Sequence, residues 1–305
     1  MPAHKTKLII NPNANMGSAW RIAADLRSIV EEFGGADWSG TVYPTHAIEL
    51  AKQAAEEGYE LIIAVGGDGT IHEVINGIMQ VPLEKRPRVG VVPLGSGNDF
   101  AHAIGMKEDP FEALHQIFTG SAKRIDLGYM EDNRGRREYI DNTIGIGFDA
   151  TVTIRSHTLP VVRGFLMYLS AVLLTIAMDH NKPYLQFESD QESWEGKTTM
   201  LVMCNGPREG GGFLVAPDAV NTDGIFHYAS IGDVSRAFML RLVPEVMRGT
   251  HGRFDKVRMG AFKTLTVKAN QPLYIHIDGE IFSGFGTDVH ELKLEVLTGA
   301  LEIVA

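Results

Sequence analysis

Short apolar runs alternate with amphipathic stretches over the first hundred residues of the chain. The runs are continuously apolar, which is typical of parallel strands buried on both faces, and they predict strands at residues 7–10, 41–43, 61–65 and 89–92. The helical periodicity between them predicts helices at residues 18–33, 46–57 and 71–79. Alternation at this spacing indicates βαβ units, and therefore a Rossmann-like parallel α/β domain.

The pattern changes after about residue 126 to strands with many alternating positions. It predicts strands at residues 139–148, 184–188, 198–204, 225–231, 263–268, 273–280 and 291–296. Helical stretches interrupt them at residues 165–178 and 235–247. We therefore expect an α/β plus β chain, with the parallel α/β domain over residues 1–128 and an antiparallel β-sandwich domain over 129–305, whose last strand is able to return to the first domain.

Glycine is abundant, with 33 residues, and several glycines follow directly after the predicted parallel strands. The most informative group is Gly66-Gly67-Asp68-Gly69-Thr70, which lies between a strand and a helix. Glycines let backbone N–H groups approach phosphate oxygens, and a helix N-terminus adds positive potential. Asp68 suits such a loop if Mg²⁺ lies between it and the phosphates. The alternative is a tight turn in which Asp68 or Thr70 caps the helix.

Three further segments end neighbouring strands. Gly95-Ser96-Gly97-Asn98-Asp99 repeats the combination of glycines, a hydroxyl, an amide and a carboxylate. Asn11 opens a loop rich in Asn and Pro after the first strand, and a plain turn is its alternative interpretation. Thr45 is able either to contact a phosphate or to cap the next helix. Because ligands bind at the carboxyl ends of parallel strands, these segments predict a phosphate site.

One other glycine motif predicts much less. Gly145-Ile146-Gly147-Phe148-Asp149-Ala150 matches the G-x-G-x-x-A pattern of dinucleotide-binding turns. The carboxylate that normally follows about 20 residues later is missing, because Ser170 stands there within an apolar stretch. We do not expect a dinucleotide site at this motif.

Composition narrows the functional classes. The chain has 28 basic and 38 acidic residues, a net charge of -10, which disfavours nucleic acid as a partner. The single cysteine, Cys204, excludes an intramolecular disulfide and reads as a core thiol. The apolar stretch 165–178 is shorter than the ~20 residues of a membrane-spanning helix, and residues 8–10 are too short for a signal peptide core. We expect a cytoplasmic protein without a transmembrane segment.

The glycine loops, together with Asp278-Gly279-Glu280, resemble the catalytic family of diacylglycerol kinases. The similarity is greatest to the soluble bacterial lipid kinases, which are related to sphingosine kinases. Further segments match in family order: Asn142 to Ala150, Asn205-Gly206 and Ala216-Pro217-Asp218 to Asp223-Gly224. One departure is Ser96, where the family usually has Thr and where the hydroxyl is retained.

The resemblance implies an ATP site in a cleft between the two domains. It implies nucleotide contacts from Asn11, Thr45, Gly66, Gly67, Asp68, Gly69, Thr70, Gly95, Ser96 and Asn98. Asp68, Asp99 and Asp126 would hold a catalytic Mg²⁺. A separate structural Mg²⁺ would lie on the Asp218 side chain and the carbonyls of Val215 and Val220, whereas a simple Asx-turn is the other reading of Asp218.

Asp278 and Glu280 match the acidic motif of the family's active site. They stand at i and i+2 of a predicted strand, so an extended backbone would point both carboxylates the same way. We expect one to be the general base for a lipid hydroxyl and the other to orient it, and the sequence does not say which. Two solvated carboxylates in a hairpin are the alternative. His276 shares their predicted face and is expected to be a partly buried structural residue, with tuning of the two carboxylates as the alternative.

These observations predict an ATP- and Mg²⁺-dependent lipid kinase that converts diacylglycerol to phosphatidic acid. The alternatives are a kinase for a sphingoid lipid, for phosphatidylglycerol or for NAD, and a non-catalytic nucleotide sensor. Residues 235–258 carry six basic and two acidic side chains, a local charge of +4. This segment either rests on the inner membrane face, where the lipid substrate is presented, or is an ordinary solvated helix. The sequence does not decide whether the chain forms a homodimer.

Overall fold

The computed structural model describes residues 5–158, 164–178 and 181–305. This part of the chain divides into two units. The first extends to Ile125 and includes Gly299–Ala305, and the second is Asp126–Thr298.

The first unit contains a parallel sheet in the order β2-β1-β3-β4, with the end of a later strand, β15, beside β4. Its own strands are β1 (Thr6–Ile10), β2 (Asp37–Gly40), β3 (Leu61–Gly66) and β4 (Arg88–Pro93). Every residue of β3 is buried, as expected for a central strand with both faces covered. Because Val65 pairs with both Ile10 and Val92, the loops that follow β1, β3 and β4 leave the same edge of the sheet.

Six helices accompany this sheet. They are α1 (Ala14–Gly17), α2 (Ala19–Glu32), α3 (His46–Glu56), α4 (Asp68–Ile78), α5 (Asp99–Ala103) and α6 (Pro110–Thr119). The start of α6 shows why the sequence begins a helix there. The Asp109 carboxylate accepts hydrogen bonds from the N–H groups of Phe111 and Glu112, and Pro110 occupies the first turn.

The second unit is an antiparallel sandwich with three helices. Its strands are β5 (Ala122–Asp132), β6 (Arg137–Ile140), β7 (Thr143–Gly147), β8 (Tyr184–Ser189), β9 (Ser193–Cys204), β10 (Phe226–Gly232), β11 (Val257–Phe262), β12 (Thr264–Ala269), β13 (Ile275–Ile277), β14 (Glu280–Ser283) and β15 (Glu291–Val304). Of β5 only the part from Asp126 onward belongs to this unit, and of β15 only the part up to Thr298. Its helices are α7 (Phe148–Ser156), α8 (Gly164–Met178) and α9 (Arg236–Met247). Short 3-10 turns lie at Leu83–Lys85 in the first unit and His251–Arg253 in the second.

Strand β9 joins the two sheets of the sandwich. Its first half pairs with β8, which continues to β12 and β15, and its second half pairs with β7 and β10. Leu201 and Met203 on one face of β9 belong to the core between the sheets. Val202 and Cys204 on the opposite face pack in a second core with α7, α8 and α9. The period of two along one strand therefore supplies both cores, and Cys204 is confirmed as a buried thiol.

The expected fold class is confirmed, and three predicted strands are wrong, one of which is the strand at 273–280, split by a turn into β13 and β14. Residues 41–43 are not a strand, because β2 lies at Asp37–Gly40 and ends before the exposed Val42 and Tyr43. The predicted strand at 139–148 is split into β6 and β7 by Asp141 and Asn142. Among the described residues, no helix is long and apolar enough to cross a membrane.

Candidate active site

The loops after β3 and β4 touch through their backbones. Gly66 ends β3, Gly67 precedes α4, and Asp68, Gly69 and Thr70 form the first turn of that helix. A Cβ atom on Gly95 would lie 2.6 Å from the Cα of Gly67, and one on Gly67 would lie 2.9 Å from the Cα of Gly95. Because atoms cannot approach that closely, only glycine at both positions permits this contact. The two loops predicted from the sequence therefore form one continuous backbone surface.

Two carboxylates converge in front of this surface. The position that a Cβ atom on Gly97 would occupy is 3.0 Å from Oδ2 of Asp99 and 3.1 Å from Oδ2 of Asp68. Asp99 is buried, and Oδ1 of Asp68 accepts a hydrogen bond of 3.2 Å from the N–H of Phe100 in α5. Carboxylate oxygens brought to one point are the donor set that Mg²⁺ prefers, so Asp68 and Asp99 fit a magnesium ion.

Two asparagines hold the loops in shape. Asn98 has a left-handed backbone with φ of 51°, and its side chain accepts from the N–H of Gly95 at 2.8 Å and donates to the Gly95 carbonyl at 3.2 Å. Asn11, after β1, donates from Nδ2 to Oγ1 of Thr70 at 3.3 Å. The structure thus brings Asn11, Thr70, Gly95 and Asn98 together. Ser96, between Gly95 and Asn98, is exposed.

Thr45 lies immediately before α3 in a strained backbone conformation. Its φ of 71° is unfavourable for a β-branched residue, and its side chain makes no capping hydrogen bond. The carboxylate of Glu73 in α4 caps α3 instead, accepting from the N–H groups of Thr45 at 2.8 Å and Ala47 at 3.1 Å. Strain that is maintained by a specific partner is typical of functional sites, so the capping interpretation of the Thr45 side chain is wrong while a ligand contact remains a prediction.

The extended-strand geometry expected for Asp278 and Glu280 is wrong. The hairpin of the alternative interpretation is what the structure shows, although Asp278 is not solvated. Asp278 and Gly279 are the central residues of a two-residue hairpin between β13 and β14, with φ of 50° and 83°. Two positive φ values define the type I′ turn that Asp-Gly favours. The two carboxylates are therefore on a turn and the first residue of a strand, not on one face of an extended strand.

The environments of these two carboxylates differ. Asp278 is buried, and its oxygens accept hydrogen bonds from the N–H groups of Asp141 at 3.0 Å, Asn142 at 2.9 Å and Thr143 at 2.7 Å. The same interaction explains why the chain breaks between β6 and β7: those amides point at Asp278. Glu280 is exposed at the start of β14. Asp278 is thus built into the second unit, and Glu280 faces solvent.

The remaining predicted metal ligands also belong to the second unit. Asp126 is buried, and its carboxylate accepts from the N–H of Gly224 at 2.6 Å. Asp218 and Val220 are exposed, and the carbonyl of Val215 lies 3.0 Å from Nε2 of the buried His251. A carbonyl oxygen has two lone pairs, so that contact leaves one for a cation.

The motif at residues 145–150 builds a buried polar network rather than a ligand turn. His276 in β13 pairs with Gly145 in β7, and its Nε2 lies 2.7 Å from Oδ2 of Asp149 and 3.0 Å from Oε1 of Glu209. A Cβ atom on Gly145 would fall 1.9 Å from that Asp149 oxygen and 2.2 Å from Nε2 of His276. Tyr168 in α8 donates to both carboxylates, at 3.1 Å and 3.2 Å. The glycine is therefore needed to admit the protein's own side chains.

The charged groups of this network, His276, Asp149 and Glu209, are all buried. Burial alone would lower the pKa of His276, but the carboxylates of Glu209 and Asp149 outweigh burial and hold that pKa well above its usual range. Burial and the same two carboxylates raise the pKa of Tyr168 far above its ordinary value. The network is thus an imidazolium between two carboxylates, and it bounds an apolar cavity of about 50 Å³ beneath α8 and α9. His276 is structural, as expected.

Some of these groups carried no signal in the sequence. Glu73 is three residues beyond Thr70 in a helix, where a glutamate is usually a solvated residue, and only the fold brings it to Thr45. Glu209 and Tyr168 are far from Asp149 along the chain. No spacing rule connects residues that meet only when strands and helices pack.

Comparison with known proteins assigns the class. Residues 5–130 match the model of the diacylglycerol kinase catalytic domain, and residues 142–305 match that of the YegS C-terminal NAD kinase beta sandwich-like domain. A parallel α/β unit with glycine loops, followed by this sandwich, defines a phosphotransferase, and the chain is a kinase. It belongs to the family of diacylglycerol kinases and YegS-like lipid kinases.

Individual relatives agree. A diacylglycerol kinase of Bacillus subtilis (strain 168) is 27% identical over 90% of this chain and 89% of that protein. A Chromohalobacter salexigens protein named "Probable lipid kinase YegS-like" is 30% identical over 89% of both chains. Two crystal structures from Bacillus anthracis str. Sterne share the fold. One has a TM-score of 0.80 at 20% identity, and the match covers 100% of this chain and 98% of that chain. The other, a diacylglycerol kinase by name, has a TM-score of 0.72 at 17% identity, and the match covers 100% of this chain and 97% of that chain.

Proposed function

We propose that this kinase transfers the γ-phosphoryl group of ATP to the hydroxyl of a membrane lipid, and that the lipid is diacylglycerol, giving phosphatidic acid. The observation that supports it most is the junction of the two glycine loops with the carboxylates of Asp68 and Asp99 in front of it. The names of the relatives favour a lipid acceptor, and the diacylglycerol kinases among them favour this one.

The loops of the first unit would bind the nucleotide. Gly67 and Gly69 are partly exposed and Gly95 is exposed, and the N-terminus of α4 begins between these loops. The side chains of Asn11, Thr45 and Ser96 stand on the loops around this surface as further polar contacts. Phosphoryl transfer passes through a loose transition state, so this backbone mainly needs to position the phosphates and offset their charge.

Asp68 and Asp99 would hold a catalytic Mg²⁺. When bound, the ion neutralises charge on the transferring and leaving phosphates. The part of Asp126 as a further ligand stays a prediction, since one of its carboxylate oxygens already accepts a hydrogen bond from the Gly224 amide. The structural Mg²⁺ on Asp218, Val215 and Val220 likewise stays a prediction.

We propose Glu280 as the general base and Asp278 as the residue that orients it. Three N–H donors hold the Asp278 carboxylate in place, which suits it to positioning rather than to proton transfer. Glu280, the residue that follows the turn, is exposed and therefore accessible to an acceptor hydroxyl. In the reaction the lipid oxygen bonds to the γ-phosphorus as the bond to the bridging oxygen breaks; ADP leaves, and Glu280 takes the hydroxyl proton.

Release of ADP from Mg-ATP tests the assignment. We expect release with diacylglycerol in mixed micelles, and none with a sphingoid base, phosphatidylglycerol or NAD. Release with NAD alone would replace the acceptor, and no release with any acceptor would favour the nucleotide sensor. Replacing Mg²⁺ by EDTA should abolish the reaction.

Two variants separate the carboxylates. Glu280→Gln should lower kcat on the order of a hundredfold or more, with the thermal midpoint unchanged, because the side chain is exposed. Asp278→Asn should also lower the thermal midpoint, since it weakens three buried hydrogen bonds. If Glu280→Gln retains full kcat, the choice of base is wrong.

A further inference from the structure

The outward side of α8 is apolar. Leu166, Leu173, Leu174 and Met178 are 62%, 44%, 37% and 58% exposed. Their spacing of seven, one and four residues places them on one side of a helix, opposite the buried Val172 and Ile176. The helix contains no charged residue over its whole length. A surface helix of a soluble protein normally carries polar residues on its outer side, so this one is exceptional.

Helix α9 packs beside α8 and extends this apolar area. Leu240 is 50% exposed and Met247 is 37% exposed. Arg236 and Arg241 are exposed on the same helix, and Arg248, which directly follows it, is exposed as well. They belong to the segment of residues 235–258, which has a local charge of +4 in a chain of net charge -10. Apolar side chains and arginines therefore lie side by side on two neighbouring helices.

We propose that this area docks on an anionic phospholipid bilayer. We call it the α8–α9 surface, and it consists of Leu166, Leu173, Leu174, Met178, Leu240 and Met247 with Arg236, Arg241 and Arg248. Apolar side chains beside cationic ones are the composition of elements that lie in the membrane interface. The proposal rests on the proposed function only in that a lipid acceptor is found in such a bilayer.

The charge of the surface favours a bilayer over a second copy of the chain. In a symmetric dimer the same patch meets itself, so one contact would bring together six arginines. Like charges brought together disfavour that contact. The described residues of α8 offer no carboxylate to offset them, and Glu245 of α9 is already paired with Arg253. Anionic headgroups provide the opposite charge, and their acyl chains accept the leucines.

Sedimentation of the full chain with vesicles tests this, without ATP or lipid substrate. The vesicles are phosphatidylcholine with and without phosphatidylglycerol. We expect binding to the anionic vesicles, and a loss of about tenfold or more in partitioning for Leu173→Ser with Leu174→Ser and for Arg241→Gln with Arg248→Gln. Leu83→Ser, at another leucine that is 58% exposed, and Arg21→Gln with Arg27→Gln on α2 are matched controls that should bind as wild type.

Three results would overturn the proposal. They are equal sedimentation of wild type and both double variants, equal loss in the control variants, and a wild-type dimer that the leucine variant converts to monomer while vesicle binding is unchanged. Light scattering gives the mass, and thermal unfolding checks that each variant is folded.

A kinetic comparison separates this proposal from the proposed function. The surface variants should keep ADP release within about twofold on a short-chain diacylglycerol in solution and lose it about tenfold on diacylglycerol in anionic vesicles. If no lipid supports ADP release but docking still depends on the surface, the proposed function fails and the docking proposal stands. If ADP release occurs but the surface variants bind vesicles as wild type does, the docking proposal fails and the proposed function stands.

Discussion

Two glycine-rich turns of this protein have similar sequences and opposite surroundings. Gly66 to Thr70 follows β3 and opens α4, and Gly145 to Ala150 lies at the end of β7 and opens α7. Each leaves a buried strand and places an aspartate in the first turn of a helix. In the first turn, the missing side chains let two backbones touch beneath two converging carboxylates. In the second, His276 and Asp149 occupy the space that a side chain at Gly145 would need.

The difference shows that glycine after a strand signals close approach and not the identity of what approaches. Around Gly95 and Ser96 the surface is exposed, so a ligand is able to use the room. Around Gly145 all neighbours are buried, so the room is already filled. Substitutions at the two turns should therefore damage different properties.

The largest effect is expected for Gly145→Ala. The new methyl group would collide with Asp149 and His276 and break a buried ion pair, which should lower the free energy of unfolding by about 3–5 kcal/mol. Urea unfolding measures this. Gly284→Ala is the control, because a Cβ atom there meets only Ile281 at 3.5 Å, and it should change stability by about 0.5 kcal/mol at most.

Gly95→Ala should impair activity more than stability, the opposite of Gly145→Ala. A methyl group 2.6 Å from the Cα of Gly67 separates the two loops, which should lower kcat/KM for ATP on the order of a hundredfold. Since Gly95 is exposed, the free energy of unfolding should fall by no more than about 1 kcal/mol. Full activity in this variant would show that the contact between the loops is unrelated to ATP.

The buried network should also make stability depend on pH. The pKa of His276 is raised in the folded protein by Glu209 and Asp149, so its contribution to stability is complete below its ordinary value of 6.5 and is lost as the pH rises through the raised pKa. Compared with His276→Gln, wild type should lose stability above pH 6.5 with a slope of up to about 1.4 kcal/mol per pH unit. Urea unfolding of both proteins across pH measures the slope. A difference that stays constant with pH contradicts the imidazolium.

The smallest effect is expected for Ser96→Thr. The side chain is exposed and the substitution keeps the hydroxyl, so KM for ATP should stay within about twofold of wild type. Ser96→Ala is the informative partner. If it also matches wild type in KM, Ser96 does not contact the nucleotide.

Much of the fold followed from local pattern. Continuous apolar runs located β1, β3 and β4 within two residues at each end, because a central parallel strand is buried on both faces. The edge strand β2 was misplaced, since none of its residues is buried and the apolar signal came from the exposed Val42 and Tyr43. The hairpin at Asp278-Gly279 was only the alternative interpretation, because apolar residues continue on both sides of it and favour a single strand.

The candidate site divides in the same way. The glycine loops were evident from sequence because their residues are adjacent along the chain and follow strands. The sequence did not show that Glu73 accepts a hydrogen bond from the Thr45 amide, or that Asp278 accepts from the amides of Asp141 to Thr143. Their partners are 28 and more than 130 residues away, and no local periodicity reports such a pairing.

By itself, the amino-acid sequence determined the parallel and antiparallel halves, the glycines at strand ends and the family. Those properties depend on neighbours along the chain, on backbone freedom and on which faces are apolar. Only the tertiary structure decided that one glycine turn faces open space while the other holds a buried ion pair, and that Asp278 is enclosed while Glu280 is exposed. Burial and hydrogen bonding of a carboxylate depend on groups that folding brings from distant parts of the chain.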